Sequence, residues 1–429
     1  MNKTIISIKR LGAIRDAQIT LSPLMVFSGE SGLGKSYIAF LVHYLYRVVL
    51  EDNRLDSFFK GLGWDVDVLS ASVSSSRLPL SLKTLEKWLS EDAVEYLKEI
   101  VGNSELSAEI SIQLPEYKDG SLAFSFKKES FVSSDRNIVY TLFELDDHIL
   151  RVPADTRQLG VYPWRRLLAD FMKNLIFKDD SLDQTFTMVP GRGALLNVDY
   201  KSQELVKSNS KMYSEFLNDW GIVKSYVPYD KDGVDQSLNS ELQQINGGPI
   251  VQKDEAIFLK IESTTLLPIS AAASSTKELT PLAMLYEKYP ANKLSILFEE
   301  PEAHLHPSKQ IAIADFVTKA VSCGTHMQIT THSDYFIRRI NDRIMLGQIR
   351  QKDTKRYNSL LKKLEHFDDR VLDSSIVSAY LLKRQDDDSV SIITQSVESG
   401  IPYDSFHDVL QNDFYASLEI NKLFKEVMA

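Results

Sequence analysis

Residues 24–36, LMVFSGESGLGKS, constrain the fold of this chain more than any other stretch. A short apolar run, Leu24 to Phe27, breaks into a glycine-rich turn ending in Lys35 and Ser36, with Gly29, Gly34, Lys35 and Ser36 at G-x-x-x-x-G-K-[ST] spacing. Behind the turn Ile38, Leu41, Val42 and Leu45 recur at helical spacing, so the local order is strand, turn, helix. Glycine lets the backbone wrap a phosphate chain with its N–H groups pointing inward, and the helix N-terminus adds partial positive charge there. Lys35 reaches the outer phosphates and the Ser36 hydroxyl offers a ligand to Mg²⁺. The segment Gly29, Glu30, Ser31, Gly32, Leu33, Gly34, Lys35, Ser36, Tyr37 therefore reads as a phosphate cradle.

A second half of the same site is legible downstream. Leu294 to Phe298 is a continuous apolar run suited to a buried parallel strand, and it ends in Glu299 and Glu300. One acid at the end of a core strand suits the metal shell and the next suits the attacking water, which assigns Glu299 to Mg²⁺ and Glu300 to water. A further strand, Met327 to Thr330, leads into Thr331, His332 and Ser333, where an imidazole can hydrogen-bond the terminal phosphate or the water. His304 and His306, two apart in a proline-bounded loop without cysteine, read as polar loop residues rather than metal ligands. Arg192, in the turn Pro190-Gly191-Arg192-Gly193, reads most simply as part of a solvated turn, the alternative being a bidentate phosphate contact.

Length and composition narrow the class. The 429 residues suit two or three folding units or, equally, a single large α/β core with an inserted lobe, and an apolar share of 43% suffices for a large core. With 49 Lys and Arg against 59 Asp and Glu, the formal charge of −10 supplies no global field for nucleic acid. The lone Cys323 excludes an intrachain disulfide and fits a reducing cytoplasm. No leader pattern and no long apolar run is visible, so export and membrane spanning are not expected.

Periodicity divides the chain into residues 1–50, carrying strands and the phosphate loop, a section 51–245, and a second compact section 246–429. Within 51–245, residues 51–80, with Gly61, Gly63 and a serine cluster from Ser70 to Ser76, read as a loop-rich excursion. Helical spacing follows over 81–101, a hairpin over 105–114 and 121–127, and further helices near 163–178 and 202–220. In the last section 256–262 and 265–269 read as strands and Lys277 to Lys288 as a helix. Ala379–Lys383 and Val390–Thr394 read as a hairpin around Asp386, Asp387 and Asp388, before a final helix past Pro402. The fold class is α/β, with a mostly parallel core sheet, an N-terminal β layer and a largely helical insertion.

The ordered set GESGLGKS, ILFEEPEAHLHP and ITTHSDYF resembles the ABC-type ATPases of the SMC, RecF and OLD group, most closely a small prokaryotic branch that includes ATPase subunits of anti-phage systems such as PARIS and Septu. The resemblance implies an ABC-ATPase-like head that binds ATP and Mg²⁺, with Lys35, Glu300 and His332 catalytic and Ser36 and Glu299 on the metal. It also implies that a signature serine segment, here Ser274 and Ser275, covers the nucleotide of a second subunit in trans. Thr276 stands where glycine is common in that segment. Expected partners are a homodimer or higher homo-oligomer, a separate nuclease or toxin effector, and a phage trigger, with no membrane. A RecF-like DNA-repair ATPase is the alternative, disfavoured by the acidic balance, and a transporter motor lacks its usual signature. The three aspartates are weighed against the acidic cluster of the nuclease domain that OLD proteins append, and the hairpin turn is preferred because only about 40 residues follow, few for another domain.

Overall fold

The computed structural model describes residues 3–63, 75–115, 121–132, 139–145, 148–153, 162–196, 211–226, 233–254, 256–262, 265–364, 367–398 and 400–402, with positions 415, 417–420 and 423 beyond them. Five mutually parallel strands form the centre: β9 (Gln184–Met188), β13 (Leu294–Glu299), β14 (His326–Thr331), β3 (Leu24–Gly29) and β15 (Val377–Arg384), in that spatial order. Every residue of β3, β13 and β14 is buried, because a parallel strand covered on both faces has no solvent side to alternate toward.

The sheet continues past β15 into β16 (Val390–Gln395), β2 (Ile14–Thr20), β1 (Ile5–Leu11) and β5 (Ala108–Gln113), making nine strands. The N-terminal strands are thus a wing of the main sheet, joined through the Val390–Ile14 pair. The 379–394 hairpin forms as expected, its inner strand β15 pairing along β3.

Helix α1 (Lys35–Leu50) starts at Gly34 in the left-handed conformation and packs across β3, β13, β14 and β9. Its last turn carries Arg47, favourable at a helix C-terminus. Next come α2 (Asp52–Gly61), α3 (Leu82–Val101), α4 (Tyr162–Phe177), the short α5 (Arg192–Leu195), α6 (Met212–Ser225) and α7 (Gln236–Asn246). The C-terminal section holds α8 (Ser274–Lys288), α9 (Pro307–Ser322), α10 (Asp334–Lys352) and α11 (Thr354–Leu361). Among the described residues no helix is long and apolar enough to cross a membrane.

The section 51–245 differs from the expected plan in single elements. Beside its helices it holds an antiparallel sheet of β4 (Ser75–Ser81), β6 (Ser121–Val132), β7 (Val139–Leu145) and β8 (His148–Pro153). It also supplies both outer strands of the main sheet, β5 and β9. Residues 105–114 and 121–127 consequently make no hairpin: β5 pairs with β1, while β6 pairs with β4 and β7. A helix at 52–61 replaces part of the expected loop; most of the serine cluster, within 64–74, lies outside the described residues. The helix expected near 202–220 is α6, with 201–210 outside the description, as is most of the final helix past Pro402. A small sheet of β10 (Ile250–Lys253), β11 (Ala256–Lys260) and β12 (Leu266–Pro268) precedes α8.

Candidate nucleotide site

The site stands at the C-terminal ends of three adjacent strands. Strand β14 lies between β3 and β13, with Thr331 opposite Ser28 and Thr330 opposite Glu299. The phosphate loop, His332 and the paired acids therefore leave the sheet at one level, the usual place for a ligand in an open α/β sheet.

Two glycines of the loop are required by the backbone. Gly29 has φ +129°, and a Cβ there would stand 2.4 Å from the Leu382 carbonyl oxygen of the neighbouring β15. Gly34 has φ +92° and lies against Ile14. With both in place the chain turns tightly into α1 and its first N–H groups face the loop. Lys35 is buried, its Nζ donating to the carbonyls of Gly29 at 3.0 Å and Glu30 at 2.7 Å. Burial pulls its pKa down to about 8, against the attraction of Glu300, Glu302, Glu299 and Glu30. Two carbonyls thus hold the cation at the loop, and the four acids favour its charged form.

Glu299 is fully buried and neither carboxylate oxygen has a hydrogen-bond partner. Burial lifts its pKa to about 7; the neighbouring Ser36 hydroxyl and the charges of Arg192 and Lys35 oppose the rise, and Glu300 adds to it. A buried orphan carboxylate beside a hydroxyl is the oxygen donor set a hard divalent cation takes, so Ser36 and Glu299 fit Mg²⁺ on their chemistry. Glu300, more than a third exposed, has φ +44°, a left-handed conformation that costs a non-glycine residue on the order of 1 kcal/mol and is concentrated at functional sites. Its amide donates to the Thr330 carbonyl at 3.0 Å, fixing the turn to β14.

His332 faces these groups. Its Nε2 is 3.7 Å from Glu300 Oε1 and 3.5 Å from Ser31 Oγ. Burial, then the charge of Lys35, lowers its pKa, while Glu300 and the Gly29 carbonyl pull the other way. The imidazole is held neutral between loop and acid. Ser333 caps α10 by accepting from the Phe336 amide at 3.0 Å, which ends the strand just past His332.

Two residues of the site escaped the sequence reading. Glu302 is buried, and its Oε1 accepts from the His332 amide at 2.6 Å and the Thr331 hydroxyl at 2.8 Å, tying the turn after the acids to the histidine. Its place three residues after Glu299, in a tight turn, was the available signal. Arg192, expected in a solvated turn or on a phosphate, does neither. It is fully buried, donates to the carbonyls of Glu299 at 2.8 Å, Glu278 at 2.8 Å and Val189 at 2.9 Å, and lies over the Phe298 ring. Its guanidinium binds the end of the acid strand to α8. Gly193 is compact for the same reason: a Cβ there would stand 2.9 Å from Glu278 Oε1 and Lys277 Cβ.

Ser274 is exposed and Ser275 half-buried in the first turn of α8, which packs on α5, α6 and α7. The buried Thr276 donates to the Asn246 carbonyl at 3.3 Å. His306 caps α9, its side chain accepting from the Ser308 amide at 3.3 Å, with Pro307 at the first helical position, and is thereby the polar loop residue expected. Among the described residues no group of three or more His, Cys, Asp or Glu forms a metal cluster.

Residues 166–337 match a protein family described as an AAA ATPase domain. The matched ATPase stretch, less than half of the chain, holds Arg192, Ser274, Glu299, Glu300 and His332 and begins after the phosphate loop. No curated protein matches the chain. Solved structures with a similar fold include an SMC head bound to the C-winged helix domain of ScpA, at 12% identity, 92% of this chain, 97% of that one and a TM-score of 0.40. The SMC head domain from Thermotoga maritima shares 11% identity over 92% of this chain and 100% of that one, TM-score 0.37. An Smc head with an extended coiled coil, bound to the C-terminal domain of ScpA derived from Pyrococcus furiosus, shares 12% over 96% and 99%, TM-score 0.40.

Proposed function

We propose that this chain binds ATP with Mg²⁺ and hydrolyses it. The carrying observation is the convergence of Lys35, Glu299, Glu300 and His332 at the ends of three adjacent parallel strands, with Glu299 buried and unpartnered. Loop amides and Lys35 hold the phosphates, and Ser36 and Glu299 hold the metal. Bound Mg²⁺ supplies neutralisation of phosphate charge. Glu300, the exposed acid, orients and deprotonates the attacking water, and the neutral His332 donates toward the terminal phosphate. The test is phosphate release: Glu300→Gln should bind ATP and stall, and unchanged release would remove Glu300 from this role.

The assembly reading follows from the resemblance of the motifs. Ser274 and Ser275 stand on a surface of α8 and in this reading cover the nucleotide of a second copy, so ATP drives a homodimer or a larger homo-oligomer. Light scattering of Glu300→Gln with Mg·ATP should show association that substitution of both serines weakens. We further propose, on the same resemblance, a bacterial anti-phage complex in which this subunit, divided into 1–50, 51–245 and 246–429, holds a separate nuclease or toxin until a phage component releases it. The 51–245 section is the docking surface in this reading. Pull-down with neighbouring gene products tests it; no protein partner together with salt-dependent DNA binding would favour a repair ATPase instead.

A further inference from the structure

The sheet has a second open end. Opposite the phosphate loop lies a cavity of about 450 Å³, within the range of small-molecule sites, walled by Leu21, Pro23, Tyr46, Pro115, Ile176 and Phe177. Its polar lining is already engaged: Thr4 Oγ1 donates to the Ile176 carbonyl at 2.8 Å, Ser22 pairs with Ser378 at 2.7 Å, and His326 meets the Tyr46 hydroxyl at 3.0 Å and Asp179 at 3.3 Å. The walls therefore present apolar and aromatic surface to a guest, with Tyr46 and Phe177 stacked at 4.3 Å.

The charge at this cavity opposes that of the whole chain. Its described lining includes Lys3 and Lys178 and no carboxylate, in a protein of net charge −10. Lys3 makes only 3.3 Å contacts, to Ser22 Oγ and the Ser375 carbonyl, while Lys178 is exposed and sits at φ +58°, a backbone conformation unusual outside glycine. Asp179, next in sequence to Lys178, is turned to His326 and Ser181. Apolar walls with two lysines match a compact organic anion that has an aromatic or apolar body.

Three walls are the far ends of elements that build the nucleotide site. Pro23 precedes β3, which runs into the phosphate loop; His326 opens β14, which runs into His332; and Tyr46 lies about 16 Å along α1 from Lys35 at 1.5 Å per residue. We propose that this cavity binds a small aromatic or apolar organic anion, and that its occupancy is coupled through β3, β14 and α1 to nucleotide affinity. The coupling rests on the ATP reading above, whereas the binding does not. Coupling must be reciprocal, so nucleotide and anion shift each other's affinity by one factor.

The test uses the full chain and two fluorescent probes, the anion anilinonaphthalene sulfonate and the uncharged phenylnaphthylamine. One saturable sulfonate site is expected, weakened about tenfold by the double variant Lys3→Glu with Lys178→Glu, a loss of the size expected for one charged contact, with the uncharged probe unaffected. Sulfonate binding unchanged in that variant, while its thermal melting matches the parent, would overturn the site. Mg·ATP should shift sulfonate affinity severalfold in the parent and not in Lys35→Ala. An affinity indifferent to ATP in a protein that demonstrably binds ATP would overturn the coupling; absence of ATP binding would overturn the nucleotide reading and leave the sulfonate result standing.

Discussion

Two buried clusters of charge in this protein are built on opposite plans. At the strand ends, Glu299 has two oxygens without a hydrogen bond, Glu302 one, and Arg192 one such nitrogen, although Arg192 Nε lies 3.5 Å from Glu278 Oε2. Around Arg47 in the last turn of α1 no such atom is left over: the guanidinium donates to both oxygens of Asp219, to Glu51, to Thr187 at 2.8 Å and to His43 Nε2 at 3.2 Å. His43 in turn directs Nδ1 to Gln328 at 3.1 Å, and burial with the Arg47 charge keeps the ring neutral. A matched cluster fixes α1 to β9 and β14, while an unmatched one leaves hydrogen-bonding capacity unused.

The sharpest way to break this contrast is to remove one charged group from each cluster. Lys35→Ala should lower phosphate release by about 10³–10⁵, the range for a single cation on a transferring phosphoryl, with thermal stability nearly unchanged. Asp219→Ala should do the reverse. It leaves Arg47 buried without its main partner, a loss of about 3–5 kcal/mol in denaturant unfolding. Equal stability losses in the two variants would mean that orphaned and matched clusters do the same job.

Next in size, Glu300→Gln should cost about 10²–10³ in turnover, in keeping with removal of a general base, while fluorescent ATP analogues still bind. Smaller again is Arg192→Lys. An ammonium cannot span three carbonyls as the planar fork does, so kcat should fall by roughly tenfold with KM for ATP almost fixed, because the acid strand shifts and the cradle stays. A rise in KM alone would place Arg192 on the nucleotide after all.

Legibility in the sequence followed how many constraints each residue had to meet. Lys35, Glu299, Glu300 and His332 were readable because each sits at the junction of an apolar strand and a turn, where period and residue type change together. Glu302 and Arg192 were not, because their roles depend on hydrogen bonds to backbone carbonyls and amides from distant strands, which leave no periodic trace. Strand β9, read QTFTM, was missed for a related reason: two buried threonines and a glutamine gave it the look of a loop, and only pairing with β13 makes it a core strand. The edge strand β5 alternates clearly, but alternation is silent about its partner, and β1 was nearer in space than the expected hairpin mate.

The finest test of the matched cluster is its response to pH. Glu215, mostly buried at its margin, accepts from the Tyr96 hydroxyl at 3.0 Å, and its carboxylate is 3.8 Å from Arg47. Burial lifts its pKa to about 7; Arg47 and Tyr96 oppose the rise, and Asp219 and Glu51 add to it. The unfolded chain loses this proton near 4.5, so between about 4.5 and 7 the folded state holds a proton that the unfolded state has released. Stability contributed by that proton is present at low pH and is lost as pH rises to about 7, an effect on the order of 1–3 kcal/mol. Glu215→Gln keeps the side-chain size and an acceptor for Tyr96 but has no proton to lose. Its denaturant midpoint should therefore gain on the parent as pH rises from 5 to 8. Asp219, whose pKa burial also raises, stays in both proteins and cancels in the difference. A parent-minus-variant difference flat across that range would show Glu215 ionising in the folded protein as it does in the unfolded chain, and the Arg47 cluster would then be matched by full charges alone.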